Sequence, residues 1–224
     1  MRKLRFLAAL LIQPLALGAC SAPNQSPKEM TDITVGEVAH SIFYAPQYYA
    51  LAEGYFADEG LNVELVNLNG ADKVMTALIS NEIAIGLMGP EASIYVANQK
   101  SADYAVNFAQ LTKRDGSFLV GREPIADFSF SDLRGEILGG RLGGVPEMTL
   151  EYVLKTNGVD IGTDDPSKEL NVRTDIQFAA MAGSFLAGEA DYTTLFEPTA
   201  TAVEKEGKGY ILASVGQYSG EIPY

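Results

Sequence analysis

Four short clusters carry residue types suited to holding a small molecule rather than reacting with it. Ala39-His40-Ser41-Ile42-Phe43-Tyr44 places two rings that can stack on a planar ligand beside His40, which offers both a donor and an acceptor. Met88-Gly89-Pro90-Glu91 combines a glycine that permits close backbone approach, a proline suited to a first helical turn, and a carboxylate. Gly139-Gly140-Arg141-Leu142-Gly143-Gly144-Val145-Pro146-Glu147 is a glycine-rich turn leading into a proline-started helix. Leu195-Phe196-Glu197-Pro198 sets a further carboxylate between two apolar neighbours. The candidate contacts are therefore His40, Phe43, Tyr44, Gly89, Glu91, Gly143, Gly144, Val145 and Glu197. Plainer roles stand beside these. His40 can be a loop residue bonded to backbone, Glu91 and Glu147 can complement helix dipoles, and the glycines can simply turn the chain. Tyr48, Tyr49 and Tyr55 fall mid-helix at core spacing and are read mainly as packing.

Residues for covalent chemistry are scarce. His40 is the only histidine and Cys20 the only cysteine, which argues against a transition-metal site or a cysteine–histidine nucleophile. The run from Gly139 fits neither Gly-x-Gly-x-x-Gly nor a phosphate loop, which requires lysine where Val145 stands. Neither Gly-x-Ser-x-Gly nor His-Glu-x-x-His occurs. The expectation is a binding protein without catalytic residues, metal or cofactor.

Cys20 has another use. Met1-Arg2-Lys3-Leu4-Arg5 is a basic start, Phe6 to Leu17 an apolar stretch too short and interrupted to span a bilayer, and Leu17-Gly18-Ala19-Cys20 follows at once. This resembles a bacterial lipoprotein signal, with residues 1–19 cleaved and a diacylglyceryl group on Cys20. The alternative is an ordinary secretory signal; either way the chain is exported. Residues 20–30 are small, polar and proline-containing, as a flexible tether requires. Arg2, Lys3 and Arg5 lie in the leader, so its removal takes the net charge from −13 to −16. A surface that acidic repels nucleic acid and anionic lipid heads, which leaves small solutes as partners.

The clusters must be positioned by alternating elements. Strands are expected at Ile33–Val38, Leu61–Val66, Ile83–Leu87, Tyr104–Gln110, Ser117–Gly121, Gly135–Gly139, Val172–Thr174, Asp191–Leu195 and Tyr210–Ser214. Between them fall a helix carrying Ala45, Tyr48, Ala52 and Phe56 on one face and ended by Gly60, then helices over Asp72–Ser80, Glu147–Thr156, Phe178–Ala187 and Thr199–Glu206. Strand–helix alternation implies α/β architecture with mainly parallel sheets, and ligands of such sheets gather where strands end and helices begin. The polar stretch through Lys113-Arg114-Asp115-Gly116 interrupts the alternation, as a passage between two lobes does. Lobe one is expected over 31–110, the crossover over 111–130, lobe two over 131–215, and the start of a return crossover over 216–224.

Phe43-Tyr44-Ala45-Pro46 followed by Ala52-Glu53-Gly54-Tyr55-Phe56-Ala57-Asp58-Glu59-Gly60-Leu61-Asn62-Val63 resembles the opening of periplasmic solute-binding proteins of the alkanesulfonate, nitrate and thiamine-pyrimidine type. Leu133-Arg134-Gly135-Glu136 and Phe196-Glu197-Pro198 are similar to that family's second lobe. The resemblance implies a two-lobed type II periplasmic binding fold in which Phe43, Tyr44 and Glu91 face Gly144, Val145 and Glu197 across a cleft. It also implies a membrane-tethered, monomeric receptor that delivers solute to an ABC permease and its ATPase. In the family the chain returns to lobe one for a final stretch, which this sequence is not expected to contain. The carboxylates in the clusters favour a flat nitrogenous solute, such as an aminopyrimidine used as a thiamine precursor. A sulfonate, taurine or nitrate held by Ser41, Ser93 and Arg141 is the alternative, and a surface lipoprotein acting as sensor or adhesin is the second alternative.

Overall fold

The computed structural model describes residues 29–222; Cys20, the expected leader and most of the expected tether lie outside them. Two sheets organise the chain. Strands β1 (Thr31–Glu37), β2 (Leu61–Asn67) and β3 (Ile85–Leu87) form a parallel sheet in the order β2-β1-β3. The larger sheet contains β4 (Ser117–Gly121), β5 (Gly135–Leu138), β6 (Ile161–Thr163), β7 (Leu170–Arg173), β8 (Tyr192–Phe196) and β9 (Tyr210–Ser214), in the order β6-β7-β5-β8-β4-β9. All are parallel except β4, which runs antiparallel to both β8 and β9. The segment from Leu111 to Phe130 thus contributes an inner strand to the second sheet.

Period-two alternation explains the layers of this sheet. Leu119 and Ile137 point to one face and Val120 and Leu138, their chain neighbours, to the other. On the first face Leu119 and Ile137 meet Leu150, Val153 and Leu154 of α5 (Val145–Thr156) and Val215 of α8 (Val215–Ser219). On the second face Val120 and Leu138 meet Met181 and Phe185 of α6 (Phe178–Ala187) and Ala200 and Val203 of α7 (Thr199–Lys205). Both faces are covered, as parallel sheets require. Lobe one has a smaller core, Val74 and Ala77 of α3 (Ala71–Ile79) packed on Ile83.

Three expectations need correction. The single helix after β1 is two, α1 (Ala45–Ala52) and α2 (Tyr55–Asp58), because Gly54 takes the left-handed conformation at φ 78° and ends the first hydrogen-bond ladder. Consequently Tyr49 and Tyr55 are exposed and meet edge to face at 6.0 Å instead of packing in a core. Tyr104–Gln110 forms no strand; the alternation of Tyr104, Val106 and Phe108 lies on exposed, irregular chain without a ladder partner. The short β6, with only three residues around Gly162, carries too little pattern to be legible from residue order. After α4 (Glu91–Asn98) no regular element occurs until β4.

Arg122, just beyond β4, ties the antiparallel strand to its neighbours. Its Nε and Nη2 donate to the carbonyl of Ala190 at 3.0 and 2.6 Å, and Nη2 also to that of Phe185 at 2.5 Å, with the guanidinium 4.5 Å from the Phe185 ring centre. Arginine here caps the last carbonyls around the end of α6. Replacing it with alanine is expected to lower unfolding free energy by about 2 kcal/mol, the range for hydrogen bonds from a charged donor. Urea denaturation measures this, and Arg122→Lys should recover only part of the loss because a point charge lacks the planar fork.

Candidate functional site

The four sequence clusters lie at the ends of β1, β3, β5 and β8, and all four reach a cavity of about 370 Å³ between the sheets. This is within the size range of small-molecule pockets. Phe43, Tyr44, Gly89 and Glu91 line it from lobe one, and Gly143, Gly144 and Val145 from lobe two. The rest of the lining is mostly apolar, with Met75, Ile79, Leu142, Phe178 and Phe196 prominent. Arg141 is the one Lys or Arg among the lining residues, and it is engaged: its Nη2 lies 3.2 Å from Oδ2 of Asp72 on α3, an ion pair between the lobes with both partners half-exposed.

Other contacts join the lobes around the cavity. Ser41 Oγ donates to the Glu197 carbonyl at 2.7 Å, and the Tyr95 hydroxyl of α4 donates to the Gly143 carbonyl at 3.0 Å. Phe43 stacks obliquely on Phe196 with ring centres 5.7 Å apart. Gly116 leaves room for that ring, since a Cβ there would lie 2.2 Å from Phe43 Cδ2. The backbone N–H of Val145 donates to Glu91 Oε1 at 3.4 Å.

Electrostatics concentrate at two glutamates. Glu91 is 7% exposed, and its Oε2 is buried without a hydrogen-bond partner. Burial raises its carboxyl pKa, against the pull of its own amide and those of Val145 and Ala92. Glu147 accepts from the Gly143 N–H at 2.9 Å. Burial, and then the neighbouring Glu151, push its carboxyl up to about 7. Tyr44 is also raised by burial.

His40 and Glu197 line a different space, a cavity of about 170 Å³ that shares Ala39, Ser41, Phe178 and Phe196 with the larger one. His40 Nδ1 lies 2.8 Å from Oε1 of the buried Glu37, whose Oε2 accepts from Tyr48 at 2.7 Å. Burial and this bond push the Tyr48 hydroxyl up to about 12. Both Glu197 oxygens serve Thr201, Oε2 accepting from its N–H at 3.0 Å and Oε1 from its hydroxyl at 2.7 Å. Its carboxylate therefore caps the start of α7, while its carbonyl makes the contact between lobes.

Sequence reasoning missed the walls supplied by α3, the Tyr95 face of α4 and Phe178. The signal for two of them is present: α3 follows the end of β2 at Asn67-Leu68-Asn69-Gly70, and Phe178 follows the end of β7, so both obey the strand-end rule used for the other turns. Among the described residues, no group of three or more His, Cys, Asp or Glu could hold a metal ion, and no helix is long and apolar enough to cross a membrane.

Two α/β lobes whose strand-end turns share one cleft define the class as a two-lobed, type II periplasmic binding fold. Residues 42–219 match the family model described as NMT1/THI5 like, and the chain belongs to that family. It is 46% identical over 210 residues to YtlA of Bacillus subtilis (strain 168), which bears a binding-protein name; the match covers 93% of this chain and 60% of YtlA. The fold is shared with the alkanesulfonate-binding protein SsuA from Xanthomonas axonopodis pv. citri, solved bound to MOPS, at a TM-score of 0.59 and 19% identity over 86% of this chain and 63% of that one. It is shared too with the periplasmic nitrate-binding protein NrtA from Synechocystis PCC 6803, at a TM-score of 0.62 and 17% identity over 84% of this chain and 52% of that one. The chain spans about 60% of the length of the curated relative it matches.

The Glu147 environment generates a pH signature. Its pKa is raised from 4.5 to about 7, so the fold favours the protonated form. That contribution to stability is complete below the ordinary carboxylate range and is lost as pH rises from 4.5 through about 7. Thermal melts between about pH 5 and pH 8 should show wild type losing stability relative to Glu147→Gln, whose amide oxygen still accepts from Gly143. Parallel profiles for the two proteins would contradict the assignment.

Proposed function

We propose that this chain is the solute-binding part of a receptor serving an ABC importer, exported and tethered by lipid on Cys20 to the extracytoplasmic face of the cell membrane. The observation that carries it is the convergence of turns from both sheets on one cavity of about 370 Å³. A solute there touches both lobes at once and shifts the open–closed balance by its differential affinity for the closed form. Membership of a family whose solved fold relatives include named solute-binding proteins supports this reading, and the closed form is then what a permease and its ATPase engage.

For the solute, the comparisons give more support to an organic oxyanion than to an aminopyrimidine. Fold relatives are named for alkanesulfonate and nitrate, and Arg141 offers a guanidinium at the cavity. The apolar walls suit the carbon chain of an alkanesulfonate or taurine better than nitrate, which has no apolar part to bury. A planar nitrogenous solute is the second reading, favoured by the unpaired Glu91 oxygen in a wall rich in aromatic rings, which calls for an N–H donor.

Thermal shift with a series of alkanesulfonates, nitrate and a series of 4-aminopyrimidines separates these readings. Occupation of the cavity should raise the melting temperature with saturable concentration dependence in one series. A rise confined to sulfonates supports the first solute class, and one confined to pyrimidines the second. An unchanged melt throughout all series would overturn the receptor assignment.

A further inference from the structure

We infer that Glu91 is the specificity-determining residue of the cleft, its own carboxylate standing where an incoming oxyanion must go. The inference rests on the interlobe cavity being the solute site, and holds whichever solute class fills it.

The amides of the turn before α5 are the natural seat for an anion, because they open a twelve-residue helix with no side-chain cap on Gly144. Three of them are already taken. Gly143 N–H donates to Glu147 Oε2 at 2.9 Å, Gly144 N–H to the Arg141 carbonyl at 3.2 Å, and Val145 N–H to Glu91 Oε1 at 3.4 Å. Pro146 has no N–H to offer. Of the three acceptors only Glu91 comes from the opposite lobe, and it is itself the first residue of α4. Its carboxylate therefore lies between two helix starts, one from each lobe, with the positive ends of both turned towards it.

This placement is built into the backbone. A Cβ on Gly89 would come within 2.0 Å of Glu91 Oε2 and 2.6 Å of Val145 Cγ2, so glycine at 89 is what lets the carboxylate lie against α5. The remaining oxygen, Oε2, is buried and unpaired, a costly arrangement that a structural carboxylate does not need. A ligand can relieve it in two ways. A head group with N–H or positive charge pairs with Oε2; an oxyanion must instead displace the carboxylate or bear repulsion from it. Glu91 thus pairs directly with donors and admits an oxyanion only with its own carboxylate displaced, so it sets how the cleft sorts solutes by the sign of their head group.

The test measures affinities of ethanesulfonate, hexanesulfonate and 4-aminopyrimidine by isothermal calorimetry on wild type, Glu91→Ala and Glu91→Gln, in a buffer free of sulfonates. Glu91→Ala should bind hexanesulfonate at least about tenfold tighter than wild type, one charged interaction's worth, and 4-aminopyrimidine more weakly. Glu91→Gln, nearly isosteric and still able to accept from Val145, should gain sulfonate affinity to a smaller extent and guards against a folding defect in the alanine variant. If both variants melt cooperatively and neither gains sulfonate affinity, the inference is overturned. Should the wild type still bind 4-aminopyrimidine in that case, the cavity remains the solute site; if no probe binds any of the three proteins, both assignments fall.

Discussion

A carboxylate removed from water is stable only where something positive replaces its hydration, and the cleft of this protein is arranged around that constraint. Glu91 meets it by lying between the first turns of α4 and α5, which belong to different lobes. The arrangement can exist only when the lobes are together. Gly89 leaves room for it, and the Phe43–Phe196 ring pair and the bond from Ser41 to the Glu197 carbonyl depend on the same approach of the lobes. Parting the lobes would return Glu91 to water, and that gain would offset part of the cost of separating them.

Much of the architecture is legible in the residues. The large sheet announces itself because its strands alternate faithfully, Leu119 against Val120 and Ile137 against Leu138, and both kinds of face find a helix to cover them. Alternation fails as a guide at Tyr104, Val106 and Phe108, where the period of a strand is present and the partner is not. Pairing is a property of two segments, so one segment's pattern is insufficient. The break between α1 and α2 is signalled by Gly54, although the apolar face running on to Phe56 conceals it.

The site divides along a similar line. Strand-end logic finds the turns that line the cavity because it concerns backbone topology, which follows from chain order. It does not reveal side-chain commitments. Glu197 has the position of a ligand carboxylate, yet Thr201, four residues on, offers it two donors at once. His40 is likewise held by Glu37, a residue whose burial at the end of β1 gives no sign in composition. Short-range partnerships of this kind are settled by which rotamer each side chain adopts, and residue order does not specify that.

The reversed strand in the second sheet has a consequence for how the molecule is made. β9 joins the sheet only through β4, and β4 joins it only through β8, so a strand formed near the middle of the chain waits for one that comes much later. Until Tyr192–Phe196 is in place, Leu119 and Val120 have no sheet to enter and their apolar side chains stay in water. Assembly of this lobe is therefore governed by distant closures, which places it among the slower-folding topologies.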